Sequence, residues 1–324
     1  MPALIPITIF LAFIFSLPSA QAQQAKLARI GWLAAFPGPA VGMHLDGLHA
    51  GLAAHGYAEG RNVVFDEVSA NGDLARIPAL AEDLVRRKAD VIVTQGPAVF
   101  GARDVAPRVP VVFGYSGDPV KAGLAESLAQ PRHNMTGQTY MSIELNGKRI
   151  EILREMLPGL KKLAIIANPQ HPGEQLELAD SQKTAQQLGI EIVYRQARDE
   201  TELKAALASL AEEPVQALIA FPDELTVVFR RYLVQFALER RIPLVSGWSI
   251  FAQSGGLFTY GPNIAEVYRN LARYVVRILG GAKPADLPIE LPTAFELVVN
   301  LKTSKAIGLH MPVSFYQRAD HLIE

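Results

Sequence analysis

The 324-residue chain contains no cysteine. That absence excludes disulfides, thiolate nucleophiles, cysteine-ligated metals and a lipid-modified cysteine, so the fold must be held by its apolar core. An excess of either charge is missing too. Lys and Arg number 31 against 32 Asp and Glu, and no basic stripe exists to collect the phosphates of a nucleic acid. Beyond the amino-terminal segment, no apolar run is long enough to cross a membrane. Catalytic signatures are absent as well: no G-x-G-x-x-G follows a strand, and there is no P-loop, H-E-x-x-H or G-x-S-x-G. Gly114-Tyr115-Ser116-Gly117-Asp118 only approximates the last of these, because its final glycine comes one residue early. His44, His49 and His55 are spaced to scatter around a helix rather than to align on one face as metal ligands. No catalytic residue, metal or cofactor is expected.

What is present begins with an export signal. Ile5 to Leu17 is a short apolar run, followed by Pro18-Ser19-Ala20-Gln21-Ala22-Gln23, whose Ala20 and Ala22 give the small-x-small pattern of a cleavage site. Residues 1–22 are therefore expected to be a signal peptide cleaved after Ala22, although no Lys or Arg precedes the apolar run, and the mature chain is expected in the periplasm. The remainder, from a chain with 49% hydrophobic and 19% charged residues, suits compact globular structure. Its length is enough for two lobes of roughly 130 to 150 residues each.

The mature part reads as one βα pattern written twice. In the first half, strands are expected at Leu27 to Ala34, Asn62 to Val68, Asp90 to Thr94 and Pro110 to Phe113. Helices fall between them, through Leu45 to Ala53, from Asp73 to Lys88 and after Pro97. The second half repeats the order with strands at Leu163 to Ala167, Ile190 to Tyr194, Gln216 to Phe221 and Pro243 to Ser246, and helices from Glu174 to Leu188, Glu200 to Leu210 and Leu225 to Arg240. Even phrases echo: Arg108-Val109-Pro110-Val111-Val112-Phe113-Gly114 parallels Arg241-Ile242-Pro243-Leu244-Val245-Ser246-Gly247. Short apolar strands without alternation, separated by amphipathic helices, are what a parallel sheet covered on both faces requires. The expected class is α/β, with two doubly wound Rossmann-like lobes.

In such sheets ligands bind beyond the carboxyl ends of the strands, where loops and helix N-termini converge. The loops in question are 35–42, 95–100, 114–120, 168–173, 222–226 and 247–251. Thr94-Gln95-Gly96-Pro97-Ala98 ends a strand and starts a helix, a candidate for holding a ligand carboxylate or simply a helix start. Tyr115 and Ser116 offer a phenol and a hydroxyl, while Asp118 before Pro119 either meets ligand or caps the next turn. Phe221-Pro222-Asp223-Glu224 enters a helix, where Asp223 could take a ligand ammonium or serve as an N-cap. Asn168 ends another strand, Phe36 and Trp248 could stack on a ligand or pack in the core, and Tyr260 is a further candidate ligand contact.

At this point the chain resembles a known family. Gly117-Asp118-Pro119-Val120, Asn134-Met135-Thr136-Gly137 and Thr259-Tyr260-Gly261-Pro262-Asn263 carry the likeness, and most specifically so do 281–290 (GAKPADLPIE) and 295–303 (FELVVNLKT). These resemble the ABC transporter substrate-binding proteins typified by the tryptophan-binding protein TrpX. The resemblance implies a type I periplasmic binding fold with a three-segment hinge, crossing near Thr136 to Tyr140, near Tyr260 and near Leu287 to Thr293. Lobe one would then comprise 26–136 with 261–288, and lobe two 137–260 with 293–324. The chain departs from the family at Pro131-Arg132-His133-Asn134, where Pro-Gly-Gly-Asn is common, and at Gln170-His171, where an Asn-Pro-x-Asn-Pro loop is frequent.

The implied function is a monomeric periplasmic receptor. It would close on a small solute, an aromatic or branched apolar amino acid or a related compound, and deliver it to a membrane permease with its ATPase subunit. A sensor that docks on a signalling receptor, and an exported enzyme on the same scaffold, are the alternatives.

Overall fold

The computed structural model describes residues 27–37 and 42–324. The expected signal peptide and its cleavage site lie outside the described residues, as does part of the first cleft loop.

Lobe one is built on a five-stranded sheet, all parallel, in the order β2-β1-β3-β4-β5: β1 (Ala28–Ala34), β2 (Val63–Ser69), β3 (Val91–Gln95), β4 (Val111–Tyr115) and β5 (Met135–Thr139). Every residue of β3, β4 and β5 is buried, which explains why their sequences carry no charge and do not alternate apolar with polar. The helices α1 (Gly42–Ala54), α2 (Ile77–Arg86) and α3 (Ala98–Val105) connect these strands. The expected helix from Asp73 begins instead with a short 3-10 turn at Leu74–Arg76, where Asp73 Oδ1 accepts from the Ala75 amide (3.2 Å).

Lobe two carries seven strands in the order β12-β11-β10-β9-β8-β6-β7. They are β6 (Lys162–Ala167), β7 (Glu191–Gln196), β8 (Ala217–Ala220), β9 (Leu244–Ser246), β10 (Phe258–Pro262), β11 (Phe295–Asn300) and β12 (His321–Ile323). Only the β10–β11 pairing is antiparallel. The helices α4 (Ser142–Met156), α5 (Glu174–Leu188), α6 (Glu200–Ala211), α7 (Glu224–Val228), α8 (Arg230–Arg240) and α9 (Ile250–Gln253) accompany them. The single helix expected over Leu225 to Arg240 is two helices. Phe229 leaves helical dihedrals (φ −97°, ψ 13°), its amide bonding back to the Leu225 and Val227 carbonyls, and the Arg230 guanidinium also donates to the Val227 carbonyl (2.6 Å).

The chain stays in sheet one through Thr139 and enters lobe two at α4, which packs on α5 and β10. It returns after β10 as α10 (Ile264–Leu279), whose stripe Ile264, Val267, Tyr268, Leu271, Ala272, Val275 and Ile278 is buried against α1, β4 and β5. A third passage runs through 290–294 to β11, while α11 (Leu301–Ile307) and α12 (Val313–Arg318) precede β12. At the first passage Gln138 and Glu290 form a parallel bridge, so two of the three connections lie side by side. One apolar cluster runs from lobe one through Phe36, Tyr140 and Trp248 into the face of sheet two covered by α6 to α9, and a second fills the opposite face under α4, α5, α11 and α12.

Candidate functional site

The carboxyl ends of β1, β3 and β4 in lobe one face those of β6, β8 and β9 in lobe two. The residues just beyond them meet around one cavity, lined by Phe36, Gln95, Gly96, Pro97 and Ser116 from lobe one and by Asn168, His171, Asp223, Glu224 and Trp248 from lobe two. Tyr140, at the first passage between lobes, closes its hinge side. The lobes are shut: the cavity measures about 10 Å³, the lower limit for one water. Any larger solute requires the lobes to part.

Lobe one supplies neutral groups. After β3, Gly96 turns with φ +53°, a left-handed conformation that disfavours side chains, and brings the start of α3 to the cavity. Pro97 stands at the N-cap and no side chain caps the helix, so its positive end faces the cleft. Gln95 is 2% exposed, its Oε1 accepting from the Tyr268 hydroxyl (3.0 Å) and its Nε2 lacking a hydrogen-bond partner among the described residues. The buried Ser116 Oγ is likewise unpartnered.

Lobe two supplies ionisable groups. Asp223 and Glu224 are adjacent carboxylates with different duties. Asp223 closes a capping box, its Oδ1 accepting from the Thr226 amide (2.7 Å) while its own amide donates to Thr226 Oγ1 (3.1 Å). Glu224 points across the cleft instead, and its Oε2 accepts from the Phe36 amide of lobe one (2.8 Å). Its Oε1 has no hydrogen-bond partner among the described residues and lies 3.4 Å from where a Cβ on Gly96 would stand. Burial pushes the Glu224 carboxyl up to about 8, and Asp223 adds to the effect. The Phe36 amide, Gln95 and His171 pull the other way without overcoming it. Gln95 is thus near enough to favour the ionised form, but no well-formed hydrogen bond closes between Nε2 and Glu224.

Behind this rim a buried polar network runs through lobe two. His171 Nε2 meets Glu177 Oε1 (3.1 Å), Asn146 Nδ2 donates to Glu177 Oε2 (3.0 Å), and Arg149 donates to Asn146 Oδ1 (2.5 Å) and to the Tyr260 carbonyl on β10 (2.8 Å). Burial alone would lower the His171 pKa, yet Glu177, Asp223 and Glu174 outweigh it and raise the value. Arg149, fully enclosed, is lowered to about 10 by burial despite Glu177.

Of the residues singled out in the sequence, the structure gathers Phe36, Gln95, Gly96, Pro97, Ser116, Asn168, Asp223 and Trp248 at the cavity. The others sit elsewhere. Thr94 Oγ1 donates to the Leu33 carbonyl within sheet one (2.9 Å), and Ala98 is buried in α3. Tyr115 turns into a separate depression with Phe100 and His171, its hydroxyl raised to about 12 by burial and by Asp118. Asp118 caps its own turn, accepting from the amides of Val120 (2.9 Å) and Lys121 (3.1 Å). Phe221 belongs to the second core cluster, and the Tyr260 ring lies tilted against Phe295. Glu224, His171 and Tyr140 line the cavity without having been singled out. The spacing Asp223-x-x-Thr226 is the one signal that could have separated the capping carboxylate from the free one.

The sequence profile of the family described as ABC transporter substrate binding protein matches residues 29–323. A curated relative, the tyrosine-binding protein of Clostridioides difficile (strain R20291), is 24% identical over 273 residues, spanning 84% of this chain and 78% of that one. Among solved structures, a conserved domain protein from Vibrio cholerae O1 biovar El Tor superposes with a TM-score of 0.83 at 25% identity, covering 92% of this chain and 100% of that chain. An ABC domain in complex with L-Trp from Streptococcus pneumoniae gives the same TM-score at 21% identity, covering 91% and 99%. With two α/β lobes in the type I periplasmic binding arrangement and a profile match over almost its whole length, this chain belongs to the ABC transporter substrate-binding protein family.

Proposed function

We propose that the protein captures a free amino acid with an aromatic or branched apolar side chain in the interlobe cleft, in the manner of the TrpX-type members of its family. It would work in the periplasm after removal of residues 1–22 and hand the ligand, as a monomer, to a permease driven by an ATPase subunit. One observation carries the ligand class: among the described residues neither the buried donor Gln95 Nε2 nor the buried acceptor Glu224 Oε1 has a hydrogen-bond partner, and both residues line one cavity with Phe36, Tyr140 and Trp248. A zwitterion satisfies both at once. Its carboxylate suits Gln95 Nε2 and the start of α3, and its ammonium suits Glu224. The aromatic walls suit an apolar side chain. Two similar proteins, one a tyrosine-binding protein and one a complex with L-Trp, support the reading. Because the two polar ends belong to different lobes, the ligand favours closure only by touching both.

The scaffold is that of a binding protein, and ligand capture with release is what the site performs. The test is a thermal-shift and calorimetric panel of L-tryptophan, L-tyrosine, L-phenylalanine and L-leucine against sugars and nucleosides. A ligand at a hundredfold excess over its Kd stabilises the protein by about 2.7 kcal/mol. Hits among the amino acids, with compaction in solution scattering, support the proposal; hits confined to sugars overturn it.

A further inference from the structure

We infer that Tyr268, which does not line the cavity, is a positioning residue for carboxylate recognition: its hydroxyl fixes the Gln95 amide so that Nε2, not Oε1, is presented to the cleft. The inference rests on the zwitterion reading above for its ligand, though not for its geometry.

An amide side chain has a donor end and an acceptor end, and holding one end selects the other for the ligand. Tyr268 sits on α10 with none of its surface exposed, and its hydroxyl donates to Gln95 Oε1 (3.0 Å). The Tyr140 and Tyr268 hydroxyls pair at 2.8 Å. With Tyr140 donating, the Tyr268 proton is committed to Gln95, and a chain Tyr140–Tyr268–Gln95 ends at the free Nε2. The reverse orientation would turn the Gln95 carbonyl towards the ligand carboxylate, setting acceptor against acceptor in a dry site. Burial keeps both phenols protonated, so the chain has its donors throughout the neutral range.

Two further features fit this role. Gly114 on β4 leaves the space the phenols occupy: a Cβ there would overlap the Tyr140 hydroxyl and stand 2.6 Å from that of Tyr268. The Tyr268 ring is held independently of its hydroxyl, edge-on to His44 (4.7 Å) and Trp32 (5.7 Å). Removal of the oxygen alone therefore leaves the packing in place.

The experiment compares wild type with Tyr268→Phe, titrating each with L-tryptophan and with tryptamine, its counterpart without the carboxylate. For the variant, L-tryptophan affinity should fall about tenfold, as for loss of one well-ordered bond to a charged group, with tryptamine unchanged within about twofold. Equal losses for both probes, or no loss for either, would overturn the inference. A second readout needs no ligand: the Gln95 side-chain amide in the nuclear magnetic resonance spectrum. It should show one sharp pair of proton signals in wild type and shift or broaden in Tyr268→Phe, as the amide is freed to flip; an unchanged amide overturns the inference. If wild type binds neither probe but the Gln95 signals respond, the zwitterion reading fails while the positioning role stands.

Discussion

The step from β3 to α3 in lobe one and the step from β8 to α7 in lobe two are the same turn of a doubly wound sheet, yet they end in opposite chemistry. At the first, Pro97 occupies the N-cap without a capping side chain, and the loop offers Gln95 and the open end of a helix. At the second, the Asp223–Thr226 capping box satisfies the helix start internally and leaves Glu224 to face outward. Among the described residues, lobe one thus lines the cavity with no ionisable side chain, whereas lobe two brings His171, Asp223 and Glu224. A repeated fold therefore fixes where the rims lie, while the identity of the cap decides which rim offers donors and which offers charge. It also gives the ligand a direction, with its anion towards lobe one and its cation towards lobe two.

The most severe way to break that polarity is to remove its charge. Glu224→Ala should cost ligand affinity about 2 to 5 kcal/mol, the range for truncating one partner of a buried charge pair, measured calorimetrically with L-tryptophan. A similar loss for the carboxylate-bearing but ammonium-free indole-3-propionate would show that Glu224 does not read the ammonium. Next in size is the opposite rim. Gln95→Leu should cost about 1.5 to 3 kcal/mol, the worth of a hydrogen bond to a charged group, and the loss should be confined to ligands with a free carboxylate. An equal loss for the amine would reverse the proposed direction of the ligand.

How much of this was legible in the sequence depended on what sets each feature. The α/β class was legible because completely buried parallel strands such as Val91–Gln95 and Val111–Tyr115 are short, continuous and apolar. The loops at the cleft followed from topology, since a strand's carboxyl end is known once its helix is. The side chain that points inward from each loop was not legible. Tyr115 is the last residue of β4 and Ser116 the first of the bend after it, and the hydroxyl reaches the cavity while the phenol does not. Asp223 and Glu224 are both carboxylates, and only the bond to the Thr226 amide assigns the first to capping. Tyr140 and Tyr268 are brought together across 128 positions of sequence by the return of α10 to lobe one, a tertiary fact that no local pattern encodes.

The pH dependence of closure sharpens the same contrast, because only one rim titrates near neutrality. The closed form raises Glu224 from the usual 4.5 to about 8, chiefly by burial. Relative to an open form with a hydrated carboxyl, closure of the ligand-free protein gains most below pH 4.5, and that gain is lost as pH rises from 4.5 through about 8. His171, raised despite its burial by Glu177, Asp223 and Glu174, acts in the same direction, whereas the phenols of Tyr140 and Tyr268 stay neutral across the window. Solution scattering of ligand-free protein should therefore show a more compact particle at pH 5 than at pH 9, with Glu224→Gln flattening the trend. A trend of opposite sign would mean that Glu224 is ionised in the shut form.

The smallest expected effect tests whether lobe one's rim is as neutral as it looks. Asp118, two residues beyond Ser116, sits outside the cavity with Oδ1 spent on the amides of Val120 and Lys121. Asp118→Ala should lower stability by about 1 kcal/mol, the usual cost of losing such a cap, read as a small drop in thermal midpoint. Affinity for L-tryptophan should stay within about twofold, since a cap costs stability where it sits rather than at a distance. A tenfold change in affinity would place a second carboxylate at the ligand, and the division between a donor rim and a charged rim would no longer hold.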